Sequence, residues 1–233
     1  MGKTVKKLWI LAGETSGDIY GAKLAAEARK AAESRGIELK LAGMGSKNMA
    51  NAGVELLVDS TELGVMGVVE TLKLIGTFIR IFFKLVNLAK KERPDAVVLI
   101  DYPGFNLRFA KKMFKLGIPV IWYVSPQIWV WGKRRKPVLE RICSKMMVIF
   151  PFETEVYDNQ KLDVSFVGHP LLEIVQDRTD PNIKRDENCV LLLPGSRAGE
   201  VSRLLEPMLD AVCEMHKKHP ELYFIISASR ENI

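Results

Sequence analysis

Short apolar runs alternate with longer amphipathic stretches along most of this chain. Apolar runs of about four to eight residues are typical of buried strands, whereas apolar residues that recur every three or four positions are typical of helices. The pattern predicts strands at 8–12, 39–42, 54–58, 97–100, 119–124, 146–150 and 164–167, and helices at 16–34, 68–91 and 106–115. Strands and helices that alternate in this way are typical of a doubly wound, Rossmann-like α/β sheet.

A polar segment at 171–187 interrupts this alternation. Its composition predicts a linker between a first domain at 1–170 and a second at 188–233. The second domain begins with a strand at 189–193, a helix to about 217 and a strand at 222–227. Because one strand–helix–strand unit cannot cover its own apolar faces, we expect two Rossmann-like domains, the first complete and the second truncated in this sequence.

A carboxylate directly follows the most apolar of the predicted strands. Residues 97–100 lead into Asp101, and a break at Pro103-Gly104 comes next. Open parallel sheets bind ligands beyond the carboxyl ends of their strands, so this position suits a catalytic carboxylate. The alternative is that Asp101 only caps the turn at Pro103-Gly104, and this stretch alone leaves both interpretations open.

The loop after the first strand combines glycines with carboxylates. Gly13 and Gly17 allow a tight turn, and the helix that follows offers unpaired N–H groups. Glu14 and Asp18 would repel a diphosphate, so the loop suits the hydroxyl or amide groups of a sugar better. Together with Ser16, they are candidate substrate-binding residues. The alternative is a structural loop in which Ser16 caps the helix.

A second loop joins a strand to a helix at 194–200, and its charge suits an anion. Gly195, Ser196 and Arg197 supply a flexible backbone, a hydroxyl and a guanidinium at a helix N-terminus. Such a group of donors can hold a diphosphate. The alternative is that Arg197 forms a salt bridge with Glu200 or Glu206.

The segment at 123–131 ends a predicted strand with polar and aromatic residues. Gln127 is a candidate for binding sugar hydroxyls, and Trp129 can stack on a sugar or line an acyl channel. The alternative to both roles is that the aromatic residues are part of a core between two domains. The basic run at 133–136 is either a solvated face or a contact for lipid headgroups. His169 is a further candidate, although a lone histidine is more often packed or hydrogen-bonded.

The predicted helix at 68–91 has a narrow polar stripe and a wide apolar surface. The stripe consists of Lys73, Thr77, Arg80, Lys84, Asn87 and Lys91, at alternating spacings of four and three. The charges within the helix argue against a membrane span. Part of the apolar surface can instead contact lipid, with Phe78, Ile79, Phe82 and Phe83 as candidates. The alternative is a helix buried between layers.

Composition narrows the class of protein. The residues are 48% hydrophobic and 27% charged, as in ordinary globular proteins, and the formal net charge of +6 favours anionic partners. No nucleic-acid-binding motif accompanies this charge, so we expect no nucleic-acid partner. The three cysteines lack metal-ligand spacing and suit reduced thiols in the cytoplasm. The apolar run at 8–12 is too short for a secretory signal. We expect neither a metal site nor a cofactor.

Five motifs of this chain together resemble the lipid-A-disaccharide synthase family of two-domain bacterial glycosyltransferases. They are AGETSGD at 12–18, IDYPGFN at 100–106, YVSPQIWVW at 123–131, FVGHP at 166–170 and LPGSR at 193–197. They occur in the family's order and extend over most of the chain. The resemblance implies a metal-independent glycosyltransferase of the GT-B type, built from two Rossmann-like domains.

The resemblance also implies substrates and roles. The donor is UDP-2,3-diacylglucosamine, the acceptor is 2,3-diacylglucosamine 1-phosphate, and the products are a β(1→6) disaccharide and UDP. Such enzymes work at the inner face of the cytoplasmic membrane, as cytoplasmic, peripheral proteins. Asp101 is then the expected base, Ser196 and Arg197 stabilise the leaving diphosphate, and Asn106 joins the candidates for sugar binding.

In this family the uracil and ribose are held mostly by the later part of the second domain. We therefore expect the chain by itself to bind UDP poorly and to catalyse little. Two alternatives stay open. One is another GT-B UDP-sugar enzyme, such as a peptidoglycan glycosyltransferase or an epimerase. The other is a domain that binds acylated sugars or membrane without turnover.

Overall fold

The computed structural model describes residues 4–63, 71–130, 132–180, 182–195 and 198–227. The chain forms two compact units, Met1–Ile174 and Val175–Ile233. The boundary falls inside helix α7, Leu171–Arg178. The first half of the predicted linker at 171–187 is therefore helical, and the role of the segment as a linker stays a prediction. Among the polar residues that suggested a linker, Asp177 is exposed in this helix, and Thr179 and Asp180 are exposed after it.

The first unit is built on a parallel sheet of seven strands, in agreement with the predicted α/β class. Its strands are β1 Thr4–Ala12, β2 Ile37–Gly45, β3 Glu55–Asp59, β4 Ala96–Ile100, β5 Val120–Tyr123, β6 Lys145–Val148 and β7 Asp163–Phe166. Their order is β3-β2-β1-β4-β5-β6-β7. Strands β1 and β4 pair in parallel at the point where this order changes direction. Sheets of this type bind ligands at that point, beyond the carboxyl ends of the strands.

Helices cover both faces of this sheet. They are α1 Thr15–Glu33, α2 Lys47–Asn51, α3 Thr71–Glu92, α4 Pro103–Lys115, α5 Lys136–Ile142 and α6 Glu153–Val156. Successive residues of a strand point to opposite faces. Val97 and Leu99 accordingly lie in one apolar cluster, and Val98 and Ile100 lie in the other. Strand β4 is thus buried on both sides, as its apolar run predicts.

Two boundaries differ from the hydrophobic pattern for physical reasons. Strand β2 begins two residues before the run at 39–42, where it pairs with the polar first half of β1, and it ends three residues after the run, where Gly43 and Gly45 interrupt the apolar pattern. The first residues of both strands are largely exposed, so polar side chains there interrupt the apolar run. Helix α4 starts at Pro103, three residues before the predicted start. Proline suits the first turn of a helix, where its missing N–H needs no partner.

The second unit is a single strand–helix–strand arrangement within the described residues. Strands β8 Cys189–Leu192 and β9 Tyr223–Ile226 pair in parallel, and helix α8 Ala198–Lys218 connects them. Leu191 and Ile225 are about half exposed, at 55% and 47%. A two-stranded sheet thus leaves apolar side chains uncovered, as the sequence predicted.

Candidate active site

The carboxyl ends of β1 and β4 bring two acidic residues together. Glu14 follows β1, Asp101 follows β4, and the last residues of these strands, Ala12 and Ile100, are partners in the sheet. Burial raises the pKa of the Asp101 carboxyl, and the charge of Glu14 raises it further. The backbone N–H of Tyr102 acts in the opposite direction but does not reverse the shift. An acid of raised pKa beyond a strand end, in a cleft, is a typical proton acceptor.

The backbone that carries Asp101 has an unusual conformation. Asp101 and Tyr102 have φ angles of 44° and 46°, a region that residues with side chains rarely occupy. The Nδ2 group of Asn106 donates to the carbonyl oxygens of Ile100 and Asp101, at 3.1 and 2.8 Å, and so holds this turn. Conformations of this kind cost about 1–3 kcal/mol each and concentrate at functional sites.

The side chain of Tyr102 explains the glycine in the neighbouring loop. A Cβ atom added to Gly13 would overlap the Tyr102 ring. The loop after β1 and the turn after β4 are therefore packed against each other. Only a residue without a side chain at position 13 permits this contact, which sets the distance between the two loops.

Asp101 lies on a cavity of about 340 Å³ in the first unit. Of the predicted substrate-binding residues, Gln127 and Trp129 share this cavity with it. The other polar residues of its lining are Ser125, Arg135 and Glu153, and its apolar lining includes Pro126, Ile149 and Phe150. The volume is within the range of small-molecule sites. One wall comes from the segment after β5, where Val124 has a φ angle of 63°.

Glu153 was missed by the sequence analysis. It is fully buried, and its Oε2 atom accepts hydrogen bonds from the backbone N–H groups of Ile149 and Phe150, at 3.0 and 2.9 Å. Its Oε1 atom is buried and has no hydrogen-bond partner among the described residues. The available signal was a carboxylate soon after the carboxyl end of strand β6, the same kind of position that singled out Asp101.

Arg135 was assigned only to a basic run on the surface. It is exposed and lines the cavity with Asp101, in a short 3₁₀ helix, Lys133–Arg135. The sequence showed its charge but not that it reaches the cavity.

Asp18 has a structural role instead of the predicted sugar contact. Its side chain is 1% exposed. Its two carboxylate oxygens accept four hydrogen bonds, from the N–H groups of Ser46, Asn48 and Met49 and from the side-chain amide of Asn48, at 2.6 to 3.2 Å. These contacts fix the start of α2 to the first turn of α1. With its acceptors occupied and almost no exposed surface, Asp18 is unsuited to bind a substrate.

Asn106 and Ser16 also differ from expectation. Asn106 is fully buried and supports the turn at Asp101, so it positions that residue and has no surface for a sugar contact. Its Oδ1 atom has no hydrogen-bond partner among the described residues. The capping residue of α1 is Glu14, without a side-chain cap bond, so the alternative that Ser16 caps this helix was wrong. Ser16 and Glu14 are both exposed, and their substrate contacts stay predictions.

His169 and Trp129 belong to an aromatic group at the edge of the cavity. The ring of His169 lies 5.5 Å from that of Phe150, and Trp129 meets Phe152 edge to face at 5.1 Å. The Nδ1 atom of His169 accepts a hydrogen bond from the N–H of Leu171 at 3.2 Å. His169 thus packs against Phe150 and accepts a hydrogen bond, and its contact with substrate stays a prediction.

The loop of the second unit is described only in part. Ser196 and Arg197 lie outside the described residues, as does Trp131. Gly195 has a φ angle of +111°, and a Cβ atom there would come within 2.8 Å of the Glu200 carboxylate. Glycine is therefore required at this position, and a role in binding a diphosphate stays a prediction.

Helix α3 separates the four candidate membrane residues into two pairs. Phe78 and Phe82 face the core, with rings 5.0 and 5.7 Å from that of Phe105. Their assignment to a membrane-facing surface was wrong, because the same helix face covers the sheet. Ile79 and Phe83 are 48% and 53% exposed. Among the described residues, no helix is long and apolar enough to cross a membrane.

In the described part of the chain, no group of three or more histidine, cysteine or acidic side chains is arranged to hold a metal ion.

Comparison with known families agrees with the motifs. Residues 8–233 match the family model for lipid-A-disaccharide synthetase, LpxB. The chain belongs to this family. It is 38% identical to lipid-A-disaccharide synthase of Geobacter sulfurreducens over 96% of its length, and 40% identical to those of Trichlorobacter lovleyi and Coxiella burnetii over 95%. The aligned region covers 59%, 58% and 60% of these relatives, so the chain spans about three fifths of their length.

Solved structures agree on the fold. A putative UDP-N-acetylglucosamine 2-epimerase from Listeria monocytogenes superposes with a TM-score of 0.67 over 100% of this chain and 64% of its own. The MnaA–UDP structure from S. aureus gives 0.63 over 97% and 63%. Both are 11% identical to this chain, so the likeness concerns the fold alone. It confirms the predicted GT-B class.

Proposed function

We propose that the protein joins UDP-2,3-diacylglucosamine to 2,3-diacylglucosamine 1-phosphate, giving the β(1→6) lipid A disaccharide and UDP. Membership in the family supports this reaction. The observation that carries it is the position of Asp101, beyond β4 where the strand order changes direction, on a cavity and with a raised pKa. The cavity of the first unit is the proposed place of the acceptor sugar.

Asp101 is the proposed general base. Its carboxylate takes the proton of the acceptor's 6-hydroxyl while that oxygen forms a bond to the anomeric carbon of the donor. The bond from this carbon to UDP breaks, and UDP leaves with the electron pair. A raised pKa makes the carboxylate a better proton acceptor, provided that it stays ionised at the working pH. Gly195, Ser196 and Arg197 are proposed to stabilise the departing diphosphate without a metal ion.

Replacement of Asp101 tests this mechanism. In the full-length gene product, Asp101→Asn is expected to lower kcat by about 10²–10⁴-fold, the usual contribution of a general base. UDP binding should persist, because the change leaves the proposed diphosphate site intact. Asp95→Asn is the matched control, since Asp95 immediately precedes the same strand and is exposed, paired with Lys6. Near-normal turnover of the Asp101 variant would assign the base to another residue.

We further propose that the protein is cytoplasmic and binds the inner face of the membrane through helix α3. The exposed Ile79 and Phe83 side chains and the basic net charge support this location. The double variant Ile79→Ser/Phe83→Ser should bind anionic liposomes more weakly in a flotation assay, with unchanged circular dichroism. Val5→Ser, which removes a comparably exposed apolar residue from strand β1, is the control. Equal binding of all three proteins would refute the proposal.

A further inference from the structure

The cavity beside Asp101 contains a buried carboxylate oxygen that the fold leaves without a partner. Glu153 uses only one of its two oxygens structurally, since Oε2 accepts both backbone N–H groups within reach. Oε1 is buried without a hydrogen bond, although the side chain lines a cavity. A buried polar atom without a partner destabilises the fold, so its presence in a cavity points to a ligand that completes it.

The Glu153 carboxyl has polar neighbours in the wall of the cavity. Burial raises the pKa of its carboxyl, and the two N–H groups, the Ser125 hydroxyl and the charge of His169 reduce this rise without reversing it. The Ser125 oxygen is itself held by the Tyr157 hydroxyl at 2.7 Å. Ser125 therefore has a fixed place beside Glu153 in the lining of the cavity.

Arg135 supplies a positive charge to the same cavity. Its side chain is exposed, and it forms no ion pair with the described residues. A guanidinium at the edge of a cavity that also contains two carboxylates suits a ligand with an anionic end and a polar, uncharged body. A sugar phosphate has this combination, because its hydroxyl and amide groups donate hydrogen bonds and its phosphate accepts them.

We propose that Glu153 and Arg135 are the two ends of a subsite for the acceptor's sugar phosphate. Glu153 Oε1 accepts a hydrogen bond from a hydroxyl or amide group of the sugar, and Arg135 binds the phosphate. This assignment rests on the proposed function, which places the acceptor in the cavity, and it adds two binding residues to it. A sugar held at both ends has a fixed orientation relative to Asp101, which lies on the same cavity.

Glu153→Gln tests the proposed binding role of Oε1 and keeps the structural hydrogen bonds that Oε2 accepts. The glutamine oxygen can still accept from Ile149 and Phe150, whereas its NH₂ group replaces the free acceptor by a donor. The fold should be retained, and binding of N-acetylglucosamine 1-phosphate, a soluble probe of the acceptor head, should weaken by about tenfold or more. Glu155→Gln removes the same charge from an exposed position of the same helix and should bind like the natural protein.

Arg135→Gln tests the other end and changes no buried group. The natural protein should bind N-acetylglucosamine 1-phosphate about tenfold more tightly than N-acetylglucosamine, and the variant should lose this preference. This measurement decides the proposal even where Glu153→Gln fails to fold. Binding to phosphatidylglycerol vesicles should be unchanged, which distinguishes a sugar phosphate from a lipid headgroup.

Calorimetric titration of the full-length gene product, together with steady-state kinetics, distinguishes the possible failures. Loss of probe binding in both variants, in a protein without transferase activity, would support the subsite and reject the proposed reaction. Turnover with an unchanged KM for the acceptor in folded Glu153→Gln would reject the subsite and leave the reaction in place. A preference for phosphate that survives Arg135→Gln would also overturn the inference, as would a natural protein that does not bind the probe.

Discussion

Removal of the Asp18 carboxylate should destabilise the first unit strongly. Asp18→Ala leaves three backbone N–H groups and one side-chain amide without their acceptor. Met49 is fully buried, so its N–H group cannot form a hydrogen bond with water instead. The loss of its acceptor should lower the free energy of unfolding by about 1–3 kcal/mol. Ser46 and Asn48 lie nearer the surface and should add about 1 kcal/mol each. The sum is about 3–5 kcal/mol, a large part of the usual 5–15 kcal/mol of stability.

Urea unfolding of the 233-residue chain, followed by tryptophan fluorescence, measures this loss. All four tryptophans lie in the first unit, and Trp9 and Trp122 are almost fully buried, so the signal reports that unit. Glu27→Ala, which breaks an exposed ion pair with Lys30 in the same helix, is the control and should cause no measurable change. A loss below about 1 kcal/mol in Asp18→Ala would refute the structural role. A sugar-binding role would instead lower turnover without lowering stability.

Two further changes test the strand contacts and the acid at the site. Gly43→Ala should lower the melting temperature sharply, because its Cβ atom would overlap the carbonyl oxygen of Ile10 in the neighbouring strand. Gly76→Ala is the matched control; it meets no atom in an exposed part of helix α3, and calorimetry should show a gain of about 0.5–1 kcal/mol. Glu14→Gln should move the acid limb of the kcat/KM profile to lower pH, because the Glu14 charge raises the pKa of Asp101. A shift to higher pH, or none, would contradict this reasoning.

Periodicity alone predicted the alternation of strands and helices in the first unit. The runs before Ala12 and Ile100 are apolar throughout because β1 and β4 are covered on both faces, and no solvent-facing residue interrupts them. The same logic placed Glu14 and Asp101 directly after strands, and the structure shows that these two strands are neighbours. The polar halves of β1 and β2 carried no such signal, since that end of the sheet is exposed.

Within helix α3, the sequence indicated an apolar surface but not its division. Phe78 and Phe82 differ from Ile79 and Phe83 by one position each, and all four are equally apolar. The first pair packs on Phe105, whereas the second pair is exposed. Helix α4 covers one side of α3 and leaves the other side exposed. The periodicity of α3 does not show where α4 packs, because that depends on the tertiary structure.

The sequence by itself determined the class of fold, the family and the strand end that carries Asp101. Only the tertiary structure decided what each of the other carboxylates does. Asp18 follows a strand in a glycine-rich segment, a position that suggested a substrate-binding residue. Its carboxylate oxygens instead accept hydrogen bonds from residues 28 to 31 positions later in the chain. Glu153 was not among the predicted site residues, yet it lines the cavity and its buried Oε1 atom has no hydrogen-bond partner among the described residues. Burial and hydrogen-bond partners decide the role of a carboxylate, and segments distant in sequence supply both.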